Sequence, residues 1–109
     1  MDAREIARRL GSLSIEERVQ IINALMDVSP AGLEMHAIAG ATDLGVTAIH
    51  KQLEALLAAE LVAAKSIGSD KEYSLNTKML RDLFDHMYHN FGPGFKSVPK
   101  PAVSETENE

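Results

Sequence analysis

A mainly α fold with a small β-hairpin, in the order α-α-α-α-β-β-α, is predicted from three observations. Residues 37–62 read AIAGATDLGVTAIHKQLEALLAAELV, a short helix, a tight turn and a longer helix. Two arms at residues 62–66 and 71–75 then flank Ile67-Gly68-Ser69-Asp70, whose glycine and short polar residues suit a hairpin turn. A last helix rich in Met, Leu and Phe follows. A hairpin placed directly after the second helix of a helix-turn-helix is a wing, so the predicted architecture is a winged helix-turn-helix.

Residues 3–13 form the first predicted helix, with Ile6, Ala7 and Leu10 on one stripe and Arg4, Arg8 and Arg9 off it. Ser14-Ile15-Glu16-Glu17 reads as a capping box, Ser14 and Glu17 satisfying each other's free backbone donors. The second helix carries Val19, Ile21, Ile22, Leu25 and Met26, an apolar face broad enough for the centre of a core. It ends before the breaker cluster Ser29-Pro30-Ala31-Gly32. In the helix-turn-helix, Ile38 and Ala39 supply an apolar pair and Thr42-Asp43 the turn. Gly45 is the expected cap, with Leu44 packing ahead of it against Ile49. The first arm of the hairpin is rich in Ala, a poor strand former, and rests on context as much as on propensity. Asn76 or Thr77 caps the last helix, residues 79–90, and Gly92-Pro93-Gly94 stops it.

Ile49, Leu53, Leu56 and Leu57 recur at helical spacing, which leaves the side carrying Thr47, His50 and Lys51 free. A helix in this place offers its N-terminal residues to the DNA major groove. Thr47 can donate to a phosphate or base edge, Ala48 can meet a thymine methyl, and Lys51 supplies charge, with His50 beside it. Gln52 pairs with adenine if it faces outward, and otherwise satisfies a neighbouring helix. Lys65 and Lys71 bracket the wing and reach towards phosphates. Arg18 approaches the DNA backbone or pairs with Glu17 or another acid, the structural role being the expected one.

Length and composition bound the rest. The 109 residues make one domain, residues 1–94, followed by an acidic tail, residues 95–109, too polar to order itself. With no cysteine, disulfides, thiol chemistry and cysteine zinc fingers are excluded. No apolar run approaches the roughly 20 residues of a membrane span, and no signal sequence opens the chain, so a cytoplasmic protein is expected. A net charge of -5 runs against the basic surface that phosphate neutralisation draws on. Part of that excess is the tail's Glu105, Glu107 and Glu109; the remainder requires Lys51, Lys65 and Lys71 to share one face.

Met79, Leu80, Leu83, Phe84, Met87, Tyr88 and Phe91 give the last helix two adjacent apolar stripes, more than one core contact needs. One covers the core; the other predicts a homodimer through the first and last helices, with Ile6, Leu10, Met79, Leu83, Met87 and Tyr88 at the interface. Asp82, Asp85, His86 and His89 form two i,i+4 rows on the same helix. They read either as a nickel, cobalt or zinc site completed across a two-fold axis, or as a solvated polar face. No glycine-rich phosphate loop or nucleophile set beside a base is present, so an enzyme is not expected.

Ser14 to Leu25, Ile38 to Val62 and the wing closing on Glu72-Tyr73-Ser74-Leu75 resemble the ArsR/SmtB family of small dimeric winged-helix repressors, over about residues 3–91. The Arg18 position and Tyr73-Ser74-Leu75 are the more specific marks; the Leu53-x-x-Leu56 and Leu61-Val62 spacing is shared with families such as MarR. The resemblance implies a homodimer bound to double-stranded operator DNA that represses its own operon and releases it when an inducer binds. Departures from the family pattern are equally plain. Glu34 and His36 stand where many members place metal-binding cysteines, and Thr77, Met79 and Asn90 occupy positions of the usual zinc site. The wing lacks the family's arginine cluster. Two further readings follow from these departures: a winged-helix module that docks on another protein, and a metal-independent regulator controlled by a partner protein.

Overall fold

The computed structural model describes residues 1–90; the Gly92-Pro93-Gly94 stop and the tail lie outside them. Five helices and three strands follow in the order α1 (Ala3–Ser12), α2 (Glu16–Val28), β1 (Leu33–Glu34), α3 (Met35–Ala41), α4 (Val46–Ala58), β2 (Val62–Ile67), β3 (Asp70–Leu75) and α5 (Thr77–Asn90). The strands form one antiparallel sheet ordered β1-β3-β2. β1 is an addition to the sequence expectation. Two residues are too few to show alternation, and Leu33 and Glu34 become a strand only because Tyr73 and Glu72 lie opposite them.

Helices α2, α3 and α4 pack on one another and on the sheet. Ile21 and Leu25 of α2, Ile38 of α3, and Ile49, Leu53 and Leu56 of α4 are fully or almost fully enclosed. Leu61, Tyr73 and Leu75 close the cluster from the sheet side, and Leu44 packs at its margin. Helices α1 and α5 pair along a separate seam. Ile6 and Leu83 are buried on these two helices but stand apart from the main cluster.

Capping shows where local signals competed. The expected Ser14–Glu17 box does not form. Ile15 occupies the cap of α2 without a side-chain bond, Ser14 Oγ donates to the Gly11 carbonyl at the end of α1, and Glu17 reaches across to Gln52. A capping box sits instead at α1. Asp2 accepts from the Glu5 amide, and Glu5 accepts from the Asp2 amide. The Asp2-x-x-Glu5 spacing carried that signal. Gly45 caps α4 as expected, and Asn76 Oδ1 accepts from the Met79 amide to cap α5.

Two glycines are required by geometry. Gly68 has φ +62° at the first position of the two-residue loop between Ile67 and Asp70, the pattern of a type II′ hairpin turn. At Gly32 a Cβ would fall 2.5 Å from the Tyr73 carbonyl oxygen and 2.8 Å from Glu72 Cγ. The first contact is with backbone, so the β1–β3 pairing would have to open. Gly32→Ala is expected to lower stability by about 1–3 kcal/mol, as overpacking does, read as a shift in the urea midpoint.

Helix α4 ends in a Schellman motif. Leu61 N–H bonds to the Leu56 carbonyl and Glu60 N–H to that of Leu57, with Glu60 at φ 65° where glycine is the usual occupant. A glutamate stands there because it is held on both sides: its carboxylate meets Arg9 and its carbonyl accepts from Asn76 Nδ2.

Candidate nucleic-acid interface

Helices α3 and α4 meet across the turn at residues 42–45, where Thr42 Oγ1 bonds back to the Ile38 carbonyl and accepts from the Leu44 amide. The core side of α4 is spent on Ile49, Leu53 and Leu56. Val46, Thr47, His50, Lys51 and Glu54 therefore point to solvent, with Ala48 half-buried at the margin. Val46 is 57% exposed, unusual for an aliphatic residue at a helix start. Because Gly45 has no side chain to offer, the first-turn amides of α4 have no side-chain cap. His50 lies 3.9 Å from Glu54, both exposed.

Beside this helix stands the hairpin. Cross-strand register places Lys65 opposite Glu72 and Lys71 opposite Ser66. Residues directly opposite share a face and neighbours along a strand alternate. Lys65 and Lys71 thus lie on opposite faces of the wing, which corrects the expectation that they share one face with Lys51. Lys65 also stands beside the acid Glu72, and Asp70 is at the tip. In the tail, Lys96 and Lys100 offset two of the three glutamates, so most of the negative excess lies on the described residues.

The Gln52 side chain does not face outward. It is 5% exposed. Its Oε1 accepts from Arg18 Nε at 2.7 Å, and its Nε2 donates to Glu17 Oε1 at 2.9 Å. The adenine-pairing reading of Gln52 is corrected: both ends of the amide are occupied by α2. Arg18 has the expected structural role, its Nη1 also donating to the Ser12 carbonyl. Missed in the sequence was Arg9, 4% exposed. It donates to the Ala59 carbonyl and pairs with Glu60, while Arg8 donates to the Ala58 carbonyl. Two arginines of α1 thereby close the C-terminal end of α4, where the helix dipole favours positive charge.

No family model matches the sequence, and no curated protein does. Solved structures do. An ArsR-like transcriptional regulator from Rhodococcus sp. RHA1 superposes with a TM-score of 0.67 and 26% identity, over 77% of this chain and 76% of that one. A possible transcriptional regulatory protein from Mycobacterium bovis, fragment 1–100, gives 0.62 and 27% identity over 77% and 87%. The solution structure of a homodimeric winged helix-turn-helix DNA-binding domain from Mycobacterium bovis, a possible ArsR-family regulator, gives 0.61 and 24% over 83% and 88%. The chain has the winged helix-turn-helix fold and is similar to ArsR-like transcriptional regulators.

In this winged-helix chain the predicted dimer stripe needs revision. Ile6 and Leu83 are buried within the protomer, so they have no surface to give a partner, and Met79 packs against the protomer's own core. Leu10, Met87 and Tyr88 are half-buried, and Phe84 is 41% exposed. Phe84, three and four positions ahead of Met87 and Tyr88, takes the exposed place that the apolar spacing assigns to Leu83. On α5 the four residues of the metal reading each have other neighbours within the protomer. Asp82 pairs with Lys78 at 3.1 Å. Both nitrogens of His86 are engaged, Nδ1 2.8 Å from the Asp82 carbonyl and Nε2 3.1 Å from the Met1 amino group. His89 packs edge-on against Tyr88. Asp82, Asp85, His86 and His89 do not converge, and no group of three or more potential ligands does among the described residues. No helix there is long and apolar enough to cross a membrane.

Proposed function

We propose that this protein is a DNA-binding transcriptional regulator, not an enzyme, acting as a homodimer on a two-fold operator. The solvent-facing start of α4 carries the reading. Thr47, His50 and Lys51 stand clear of the core, with Ala48 half-buried at its margin, beside a hairpin bearing Lys65 and Lys71, and the matched structures are transcriptional regulators. The uncapped amides of the first turn supply a phosphate seat next to the groove-reading side chains. Lys51 gives charge, Thr47 a hydroxyl and Ala48 a methyl to the groove; the two wing lysines straddle the hairpin and meet phosphates on either side of it. Repression relieved by an inducer, a small ligand or a partner protein, completes the reading.

Dimerisation follows from α5. Exposed Phe84 and the half-buried Leu10, Met87 and Tyr88 supply the apolar surface left on the α1–α5 pair, which a second copy related by a two-fold axis would cover. Phe84→Lys is expected to weaken self-association by at least about tenfold, as loss of an aromatic anchor in a symmetric interface does. Sedimentation velocity across a concentration series reads this.

The functional test is selection from a library of randomised DNA duplexes with the purified protein at low salt. Enrichment of a palindrome whose half-sites lie one helical turn apart is the expected outcome. Recovery of no preferred sequence would remove the reading.

A further inference from the structure

The position of Gln52, given the DNA-binding reading of α4, assigns it a part in recognition without contact. Gln52 lies one turn beyond Ala48 and next to Lys51, on the seam between the core side and the exposed side of α4. Across that seam it spans two charged groups on the first turn of α2. The amide oxygen accepts a hydrogen bond from Arg18 and the amide nitrogen donates one to Glu17. Only one orientation of the amide works. Turned end for end, it would set N–H against guanidinium N–H and oxygen against carboxylate. Arg18 is in turn tied to the last carbonyl of α1, so three helices meet at this one side chain.

We infer that Gln52 is a positioning residue: it fixes the rotation of α4 about its own axis, and so which of Thr47, Ala48 and Lys51 reach the floor of the groove. Apolar contacts from Ile49, Leu53 and Leu56 hold the helix down but are non-directional. The paired hydrogen bonds are directional. Glu17 and Arg18 are only half-buried, so an apolar residue at position 52 lets them turn to water and leaves the fold in place. What it removes is the angular tie.

The test compares wild type, Gln52→Leu and the exchange pair Glu17→Gln/Gln52→Glu. In the exchange, position 52 offers a carboxylate to Arg18 and position 17 an amide that donates to it, so the tie is rebuilt with the same charges. Binding is measured by fluorescence anisotropy on the duplex selected by wild type and on a scrambled duplex of equal length. Thermal melting is followed in parallel. Gln52→Leu is expected to lose about tenfold on the selected duplex, the scale of one misread base pair per site, with scrambled-duplex affinity and melting temperature near wild type. The exchange pair is expected to regain most of the lost selectivity. Two results overturn the inference: Gln52→Leu keeping full selectivity, or losing affinity equally on both duplexes together with a lowered melting temperature. Selection of no sequence by wild type is a separate failure, of the DNA-binding reading itself, and takes this inference with it.

Discussion

Lys51→Glu is expected to reduce the dimer's affinity for its selected duplex by on the order of a hundredfold at low salt, about 1–1.5 kcal/mol in each half-site. Two physical terms combine. A cation that meets phosphate or a base edge is removed, and an anion takes its place on a surface already supplied with Glu54, Glu72 and Asp70. Because Lys65 and Lys71 lie on opposite faces of the wing, neither moves into the vacated position. The change should also flatten the salt dependence of binding by roughly two counterions per dimer, since each lost phosphate contact contributes about 0.9 to the slope. Anisotropy titrations at four or five salt concentrations read both effects. Lys78→Glu on α5, away from the proposed face, provides the charge-matched control. Equal affinities and slopes for wild type and Lys51→Glu would show that this side of α4 does not meet DNA.

Arg9→Ala is the largest stability effect expected among the polar residues, about 2–3 kcal/mol, the range for hydrogen bonds to a charged group with added packing loss. The guanidinium is enclosed, and the Ala59 carbonyl it satisfies sits at the end of α4. Truncation leaves that carbonyl short of a partner and opens space along α1. The contribution of Glu60 is discounted, because its side chain is 59% exposed and water screens the pair. For a domain of this size the loss corresponds to roughly 10–20 °C in Tm. Arg9→Lys should recover less than half, since one ammonium cannot serve a carbonyl and a carboxylate in the fork geometry of arginine. A melting temperature for Arg9→Ala within a degree or two of wild type would refute this account.

Both effects bear on how α4 is held. Its N-terminal half is free on one side, its middle is tied to α2 through Gln52, and its end is closed by Arg8 and Arg9 of α1. Glu60 then passes the connection on to α5 through Asn76. Helices α1 and α5, which carry the proposed dimer face, therefore share hydrogen bonds with the end of the helix proposed to read DNA.

Much of the fold was legible in the residues because local chemistry and global packing agree there. Gly45 at a helix start, Gly68 in a two-residue loop and Ile49, Leu53 and Leu56 at helical spacing each have a short-range physical reason. What could not be read were residues with two competing partners. Ser14 and Glu17 have the spacing of a capping box, yet the end of α1 took the hydroxyl and Gln52 took the carboxylate. Phe84 and Leu83 are adjacent, and only the angle of α1 against α5 decides which of them is covered.

The linear order of residues therefore determined the succession of the five helices and the hairpin, the solvent-facing start of α4 and the winged architecture, all of which rest on interactions within about one turn or one hairpin, whereas β1 came only from its pairing with β3. Tertiary structure alone decided the fate of the long polar side chains. Arg9 and Gln52 carry no period that marks them as buried, nor does Arg18 carry one that marks it as half-buried. An enclosed polar group is tolerated only where a distant partner completes its hydrogen bonds, and that partner is set by chain segments 34 to 51 residues away.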